Sequence, residues 1–444
     1  MTDDRQQVVI VVSSQGLGGV TPYGRAIRDT GRIPLLITGP APQSKIEAWR
    51  SIYDEIEFVA LETLYQPEKL VATAIQCARE RPIAGLFSCF DAILLYVARA
   101  AALLDRPHPS LPGLETARNK YATRLALAQQ GIPTPGFYLM RSENEADRVE
   151  ESVGFPAIIK PVNGMASHLV RKVEDKAALR TAYRELVQRI DRGFSGNYDQ
   201  PIQVTGPQGE IMTLSPRTNF LVEQYMKGTE YSAEFIIRDG QYHRIALFHK
   251  FLVEEKGFLE CGFTTPPIGL STQREEEIWR YVECCLTATH ITHASAHVEI
   301  IDTDRGPMLV EINAGRAAGQ ILVQAVQQAR GIDLTNEILA LQTGQPRPVP
   351  TPPTLNGQVT TLTVFPPASG RLVQIDGLEE VTVLPGVKEV ICSCKPGDLI
   401  DVQDKEFFAV NILVHEIDDP AELATIHKKA KRLVRFIMES EDVF

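Results

Sequence analysis

The chain has 444 residues, of which 44% are hydrophobic and 23% charged, and its formal net charge is −11. This length predicts about two to four domains, each large enough for its own core, and the composition is that of an ordinary enzyme. The acidic balance argues against nucleic acid as a partner, because binding phosphates needs a concentrated basic surface. No apolar run is long enough to span a membrane, so we expect neither a transmembrane helix nor a membrane partner.

The first residues and the cysteines favour a cytoplasmic location. The segment MTDDRQQ is acidic and runs directly into a strand pattern, unlike a secretory signal. The seven cysteines are odd in number and scattered, and a reducing compartment is the simplest account of them. Cys392 and Cys394 lie close together, but no second pair and no histidines stand at zinc spacing, so we expect no metal site there.

The first part of the chain alternates strand and helix patterns. Continuous apolar runs predict buried parallel strands, with helices such as 68–79 between them, at residues 8–12, 33–38, 55–60 and 83–87. This alternation predicts a small doubly wound, Rossmann-like domain. Gly16-Leu17-Gly18-Gly19 lacks the G-x-G-x-x-G spacing, and no acidic residue ends the second strand, so we do not expect NAD binding. The turn and Asp91 nevertheless lie on the edge of the sheet where ligands bind.

A lysine beside a loop of small residues follows a boundary at Leu111-Pro112-Gly113. A helix that carries Lys120 comes first, and the strand 155–160 then ends on Lys160 before the loop 161–170. A lysine cation beside loop N–H groups can cradle a phosphate. An ordinary hairpin with a solvated lysine explains these residues equally well, and no Walker A sequence is present.

Residues 192–219 are rich in glycine, proline and polar residues, and we interpret them as a mobile insertion. The stretch 220–237 predicts a hairpin of two alternating runs joined at Lys227-Gly228-Thr229. Acidic residues recur inside it, namely Glu223, Glu230 and Glu234. Burial of these side chains costs desolvation, so each needs a partner or a ligand.

The stretch PMLVEINAGRAAGQ and the strand pattern before it carry a metal-binding signature. Strand residues alternate faces, so Glu311 and Asn313 share one side. Glu299 joins them if it lies opposite Glu311 or the residue two before it, whereas a one-residue slip places it on the other side. Carboxylate and amide oxygens on one face suit magnesium, which completes its shell with phosphates and water. The alternative is a solvated polar face of an edge hairpin.

The remaining elements surround this pair of strands. Two strands and an amphipathic helix are predicted before it, at 243–253, 257–265 and 275–289. A helix at 320–330 and a proline-rich linker at 344–354 follow it. A β-rich domain then fills residues 355–444 and closes with a helix near 421–438.

In this order, the motifs resemble those of the ATP-grasp superfamily of carboxylate–amine ligases. They are most similar to the L-amino-acid ligase branch, which includes carnosine-synthase-like and antibiotic dipeptide-forming enzymes. The resemblance covers nearly the whole chain and implies an α/β and α+β multidomain fold. It implies four parts: a Rossmann-like pre-ATP-grasp domain, an ATP-grasp small subdomain with the Gly/Ala loop and the mobile insertion, a large subdomain with adenine and magnesium sites, and a β-rich C-terminal lid, at residues 1–115, 116–219, 220–345 and 346–444.

The resemblance also implies which residues bind ATP. Lys120 and Lys160 would contact the phosphates, and Ser167 would lie near the terminal phosphate. The backbone of Gln224 and Met226 would meet the adenine edge. Glu223 would meet the adenine amino group, and Glu230 the ribose hydroxyls.

Metal and substrate residues are implied in the same way. Two magnesium ions, with manganese as an alternative, would be held by Glu299, Glu311 and Asn313. Arg316 would neutralise charge on the acyl phosphate and the tetrahedral intermediate, and would be catalytic together with Lys160 and Ser167. Glu260 would approach the substrate ammonium, with Phe263 beside it where some relatives carry a histidine.

The sequence departs from the family pattern at the loop and at the arginine. Ala166 and Leu169 replace glycines of many relatives, which predicts a stiffer loop. Arg316 falls five residues after Glu311, whereas most relatives place it four after, and Gly315 could form a bulge that restores its aim.

The implied activity is ligation of a small-molecule carboxylate and an amine, typically an amino acid, through an acyl phosphate, with release of ADP and phosphate. One alternative is a biotin-carboxylase-like enzyme that uses bicarbonate. Another is an inactive protein that only binds nucleotide. A homodimer formed through the first domain is a family expectation.

Overall fold

The computed structural model describes residues 6–14, 19–41, 43–164, 168–190, 198, 200–254, 259–345, 347–348, 357–402 and 408–439. Within these ranges, no helix is long and apolar enough to cross a membrane. Most of the glycine turn at 16–19 and Ser167 of the predicted phosphate loop lie outside them.

The first unit is a parallel sheet with the strand order β3-β2-β1-β4. Its strands are β1 (Val8–Ser13), β2 (Ile33–Thr38), β3 (Glu55–Phe58) and β4 (Ile83–Phe87). The helices are α1 (Val20–Asp29), α2 (Gln43–Arg50), α3 (Pro67–Ala78) and α4 (Asp91–Leu103). Every residue of β1 is buried, as its continuous apolar run predicts. The Rossmann-like unit predicted for the start of the chain is confirmed.

The second unit is a small antiparallel sheet with the order β5-β10-β6-β7. Its strands are β5 (Phe137–Met140), β6 (Ala157–Pro161), β7 (Arg171–Val173) and β10 (Phe220–Gln224). The helices of this region are α5 (Leu111–Ala117), α6 (Lys120–Gln129), α7 (Ala146–Ser152) and α8 (Lys176–Arg189). The predicted insertion 192–219 contains, where it is described, a hairpin of β8 (Ile202–Thr205) and β9 (Ile211–Leu214).

The third unit is an eight-stranded antiparallel sheet with the order β15-β14-β11-β12-β13-β16-β20-β18. Its first five strands are β11 (Thr229–Arg238), β12 (Gln241–Glu254), β13 (Leu259–Thr265), β14 (Ala294–Thr303) and β15 (Gly306–Ala314). Three helices accompany them, α9 (Thr272–Ala288), α10 (Gln320–Arg330) and α11 (Leu334–Thr343).

The C-terminal part extends this large sheet and adds a small one. The sheet gains β16 (Val359–Val364), β18 (Val387–Cys392) and β20 (Val410–His415). A three-stranded sheet, with α12 (Leu378–Thr382) and α13 (Pro420–Leu433) nearby, comprises β17 (Gly370–Asp376), β19 (Leu399–Ile400) and β21 (Arg435–Glu439). The helix predicted at 421–438 therefore ends at Leu433, and its last predicted turn is a strand instead.

The hairpin predicted at 220–237 is wrong. β10 pairs with β5 and β6 in the small sheet, while β11 pairs with β12 and β14 in the large sheet. The connection 225–228 thus passes from one sheet to the other. The connection runs so close to β14 that a Cβ on Gly228 would collide with the carbonyl oxygen of Asp302. A domain boundary at 219/220 would separate β10 from the strands β5 and β6 with which it pairs.

Alternation along β11 separates core from site. The side chains of one face, Tyr231, Ala233, Phe235 and Ile237, are buried in the same cluster as Trp279, Val282 and Cys285 of α9. The other face carries Glu230, Ser232 and Glu234. The packing of α9 against one face of β11 therefore leaves the acidic side chains on the opposite face of the large sheet.

Candidate active site

The predicted metal ligands lie on neighbouring strands and share one face. Glu299 of β14 pairs directly with Glu311 of β15, which is one of the two registers that the sequence allowed. The pairing shifts just beyond this point, so Val310 is an extra residue that bulges out of the ladder. Asn313 donates from Nδ2 to Glu311 Oε1 at 3.0 Å. The carboxylate and amide oxygens are thus brought together.

Lys120 joins this face to the loop that is predicted to bind phosphate. It is the first residue of α6, and its Nζ lies 2.9 Å from Glu311 Oε2 and 3.1 Å from the Gly164 carbonyl oxygen, to which it donates. Asn119 caps the helix by accepting a hydrogen bond from the Ala122 N–H. Burial raises the pKa of Glu311, but Lys120 outweighs this effect and lowers it below the usual value. Glu311 is therefore an anion held by one lysine.

Lys160 of β6 is paired with the buried carboxylate of Glu223 on β10. Glu223 accepts from Lys160 Nζ at 2.5 Å on one oxygen and from Arg124 Nε at 2.5 Å on the other. Arg124 also donates to the carbonyl oxygens of Leu309 and Val310, so it ties α6 to β15. Burial raises the pKa of Glu223, and the two cations lower it below its usual value. Both carboxylate oxygens of Glu223 thus accept hydrogen bonds from cationic side chains. The expected contact of Glu223 with the adenine amino group stays a prediction.

Lys250 of β12 is enclosed by three carboxylates. Its fully buried side chain places Nζ 2.7 Å from Glu230, 2.5 Å from Glu260 and 3.1 Å from Glu299. The Phe263 ring centroid lies 5.8 Å from the same nitrogen. Burial would lower the pKa of Lys250, but the carboxylates raise it well above the usual value.

His297 forms a second buried cationic contact on this face. Its Nδ1 lies 2.5 Å from Glu234 Oε1, and its Nε2 lies 3.2 Å from Glu299 Oε1. Burial lowers the pKa of His297, but Glu234 and Glu299 overcome this effect and raise it to about 9. The same histidine and Lys250 hold the pKa of Glu299 far below its usual value, against the opposing effect of burial.

Arg316 reaches across to the first unit. Its Nε lies 2.6 Å from Asp91 Oδ2, at the start of α4, and it donates to the Ala317 carbonyl oxygen. Gly315 has φ of +88°, a backbone conformation that favours glycine, and a Cβ there would meet the end of the Leu94 side chain at 2.8 Å. Burial lowers the pKa of Arg316, and Asp91 and then Glu311 raise it above the usual value. With the extra glycine in place, the guanidinium still interacts electrostatically with Glu311 and Glu299.

The remaining predicted residues are Gln224 at the end of β10, Met226 in the connection between the sheets, and Ser167. The N–H of Gln224 is used by the Gly136 carbonyl oxygen, and Arg305 donates to its side-chain oxygen at 3.3 Å. Met226 follows in the connection, where no backbone partner of its N–H is found in the described part of the chain. Ser167 lies outside the described residues, so its role is still a prediction.

A cleft lies beside Glu311, between the first unit and β15. Its polar lining consists of Asp91, Arg118, Lys120, Asn163, Glu311 and Asn313, together with Gly164. Its apolar lining consists of Leu94, Leu95, Leu114, Ala117, Ile312 and Ala314. An apolar wall therefore faces a charged one next to the predicted metal ligands.

Sequence reasoning missed the roles of Lys250, His297 and Arg124. His297 was detectable, because it precedes Glu299 by two residues on the same strand face. Lys250 is a single charge inside the apolar run LFHKFLV, and its partners come from three other strands. Arg124 was visible in its helix, but its contact with Glu223 spans 99 residues of sequence.

The residue types present suit magnesium and a nucleoside triphosphate. Glu299, Glu311 and Asn313 offer hard oxygen atoms, which magnesium prefers. Lys120 offers a cation next to the loop carbonyl of Gly164, and Lys160 offers a second one near the end of β6 in the small sheet.

Comparison with known proteins agrees with this geometry. Residues 153–324 match the ATP-grasp domain family, and residues 362–439 match the L-amino acid ligase C-terminal domain 2 family. The L-arginine-specific L-amino acid ligase of Bacillus subtilis is 22% identical over 302 residues, covering 67% of each chain. Human carnosine synthase 1 is 26% identical over 299 residues, which are 66% of this chain and 34% of that protein.

Solved structures share the fold. The L-amino acid ligase of Bacillus licheniformis superimposes with a TM-score of 0.77 at 20% identity, over 99% of this chain and 100% of that one. A Hydrogenobacter thermophilus biotin carboxylase domain, solved with MgADP and bicarbonate, gives 0.68 at 15% identity, over 96% and 90% of the two chains. The chain belongs to the ATP-grasp superfamily of ATP-dependent carboxylate–amine ligases, which form carbon–nitrogen bonds, and it carries a C-terminal domain of the L-amino acid ligases.

Proposed function

We propose that the protein activates a small carboxylic acid with ATP and transfers the acyl group to the amino group of an L-amino acid. The convergence of Glu299, Glu311 and Asn313 with Lys120 and Arg316 carries this proposal. Together these residues offer oxygen atoms that would bind a metal ion, a cation that would contact phosphate, and a guanidinium. The match of residues 362–439 to an L-amino acid ligase domain favours amino-acid ligation over carboxylation of bicarbonate.

ATP would lie between the small and the large sheet. Lys120 and Lys160 would contact its phosphates, the backbone of Gln224 and Met226 its adenine, and Glu230 its ribose. Two magnesium ions bound by Glu299, Glu311 and Asn313 would offset the negative charge of the phosphates.

The reaction would proceed in two steps. A carboxylate oxygen of the acid attacks the γ-phosphorus of ATP, and ADP leaves to give an acyl phosphate. The amine nitrogen then attacks the acyl carbon, loses a proton, and inorganic phosphate leaves. Arg316 donates to the oxygen atoms on which negative charge accumulates in the second step. Closure of the two sheets excludes water, which would otherwise hydrolyse the acyl phosphate.

The two substrates would occupy different walls. Glu260 would accept a hydrogen bond from a substrate ammonium group, because its carboxylate lies in the same cluster as the proposed metal ligand Glu299. The apolar wall formed by Leu94, Leu95 and Leu114 would contact the side chain of the other substrate. Apolar amino acids are therefore the first substrates to test.

A hydroxylamine trapping assay tests the proposal. The protein is incubated with ATP, magnesium, hydroxylamine and single amino acids, and both ADP and hydroxamate are measured. We expect hydroxamate and ADP in equal amounts, with no AMP, only when the correct acid is present. ADP formation that depends on bicarbonate would favour a biotin-carboxylase-like reaction. ATP binding without turnover of any acid would refute both enzymatic functions.

A further inference from the structure

The buried ammonium of Lys250 uses all of its donors on carboxylates. An ammonium group has three N–H donors, and the three oxygens at 2.5–3.1 Å belong to Glu230, Glu260 and Glu299. The Lys250 side chain is 0% exposed, while those of the three acids are 26%, 18% and 16% exposed. We call these three carboxylates and the ammonium between them the acidic cage.

Three strands each supply one wall of the cage. Glu230 lies directly opposite Lys250 on β11, and Phe263 lies opposite it on β13. Glu299 lies one strand further away, beyond Ser232, whose small side chain leaves room for the lysine to reach across β11. Two irregularities in the pairing of β12 with β13 accompany the approach of Glu260. The residues of the cage thus all lie on strands of the large sheet.

The three carboxylates would form a metal site without the ammonium. One oxygen from each lies within 4.8 Å of the others, which is close enough for a single ion to contact all three. Hard divalent cations bind such oxygens at about 2.0–2.6 Å. Three anions packed this closely repel each other strongly, so a cation of some kind must occupy the space between them.

We propose that Lys250 is a positioning residue whose ammonium keeps divalent metal ions out of the acidic cage. This exclusion reserves Glu299 for the magnesium face shared with Glu311, and Glu230 and Glu260 for the organic ligands. A metal bound in the cage would draw Glu299 away from Glu311 and block Glu260. The assignment of ligands to these acids rests on the proposed function, whereas the exclusion of metal rests on the cage alone.

A purely structural role for Lys250 would not need this arrangement. A buried ion cluster contributes little to stability compared with apolar residues of equal volume. Met would fill the space of the lysine stem next to Phe263, but it would leave three carboxylates with no cation between them.

Manganese binding by Lys250→Met tests the exclusion directly. Free Mn²⁺ is counted by electron paramagnetic resonance in nucleotide-free protein, so no turnover is needed. We expect the variant to bind one Mn²⁺ per chain more than the wild type. Lys176→Met is the matched control, because its ammonium also bridges two carboxylates, Asp147 and Glu150, but at the surface. This control should bind no additional ion.

Two further measurements make each outcome decisive. If Lys250→Met is unfolded in the presence of chelator, Mn²⁺ should refold it, because the ion replaces the missing positive charge. Failure to refold would overturn the proposal. Equal numbers of bound Mn²⁺ ions in variant and wild type would also overturn it. In turnover assays at Mn²⁺ concentrations that still activate the wild type, the variant should have lower activity, and its KM for the amino acid should be about tenfold higher. An extra bound ion in a protein whose wild type ligates no acid would refute the proposed function but leave the exclusion standing.

Discussion

Glu223→Gln tests whether the buried carboxylate holds Lys160, the proposed phosphate-binding residue, in place. The substitution keeps the shape of the side chain and removes one charge between Arg124 and Lys160, whose side chains are 1% and 7% exposed. Removal of one partner from a buried ion pair costs about 3–5 kcal/mol, because the remaining charges are uncompensated. We expect a loss of this size in the unfolding free energy of the nucleotide-free protein.

Nucleotide should restore part of this loss. Phosphate oxygens beside Lys160 would supply the missing negative charge, and one charge-assisted hydrogen bond contributes about 1.5–3 kcal/mol. ATP with magnesium should therefore stabilise Glu223→Gln by that much more than it stabilises the wild type. Denaturant unfolding of both proteins can be followed by Trp279 fluorescence in a Trp49→Phe background, since the chain has two tryptophans.

A surface pair provides the control for this experiment. Glu283 accepts from Arg244 at 2.7 Å, with side chains 26% and 31% exposed, and Glu283→Gln should cost no more than about 1 kcal/mol. A loss below 1 kcal/mol for Glu223→Gln, or equal nucleotide stabilisation of variant and wild type, would refute the idea that Glu223 positions Lys160 for phosphate.

Three further predictions concern the metal face and its surroundings. Glu311→Gln should abolish turnover and remove the extra stabilisation that magnesium gives to the ATP complex; unchanged activity would contradict its role as a metal ligand. Arg316→Gln should lower kcat by about 10²–10³, as for loss of one oxyanion donor, whereas Asp91→Asn should lower it about tenfold because the guanidinium remains; equal losses would contradict this division of roles. His297, whose pKa is raised from 6.5 to about 9, should contribute about 3 kcal/mol of stability in metal-free protein below pH 6.5, and this contribution should disappear as the pH rises through 9. The difference in unfolding free energy between wild type and His297→Gln, measured in chelator from pH 6 to 10, should follow that curve, and a difference that is constant with pH would contradict it.

Local periodicity was sufficient to predict most strands and the face that Glu299, Glu311 and Asn313 share. The runs at 33–38 and 83–87 are strands with the predicted bounds, because a strand buried on both faces has no polar positions that blur its ends. Side chains of a strand alternate with a period of two residues. Glu299, Glu311 and Asn313 therefore share a face if Glu299 pairs with Glu311 or with Leu309, and the structure has the first of these registers. These features depend on neighbouring residues, which is why sequence alone could indicate them.

Pairing between distant strands could not be predicted in the same way. The alternating runs 220–224 and 229–238 have the same pattern whether they pair with each other or join different sheets. The structure separates them, and the short connection with Gly228 then becomes a passage between sheets. Lys250 was missed for a related reason: a lysine in an apolar strand has no local sign of the three carboxylates that surround it.

Each carboxylate of the cleft contacts a cation, and this couples the binding of metal to the binding of nucleotide. Lys120 neutralises Glu311 in the absence of ligands, yet the same lysine is the one that would contact the phosphates. A divalent ion that takes Glu311 as a ligand replaces the lysine as its counter-charge and frees the ammonium for the phosphate oxygens. Metal and nucleotide should therefore bind with positive coupling through Lys120. Lys250, by contrast, contacts three acids at once and is not freed when one of them finds another partner.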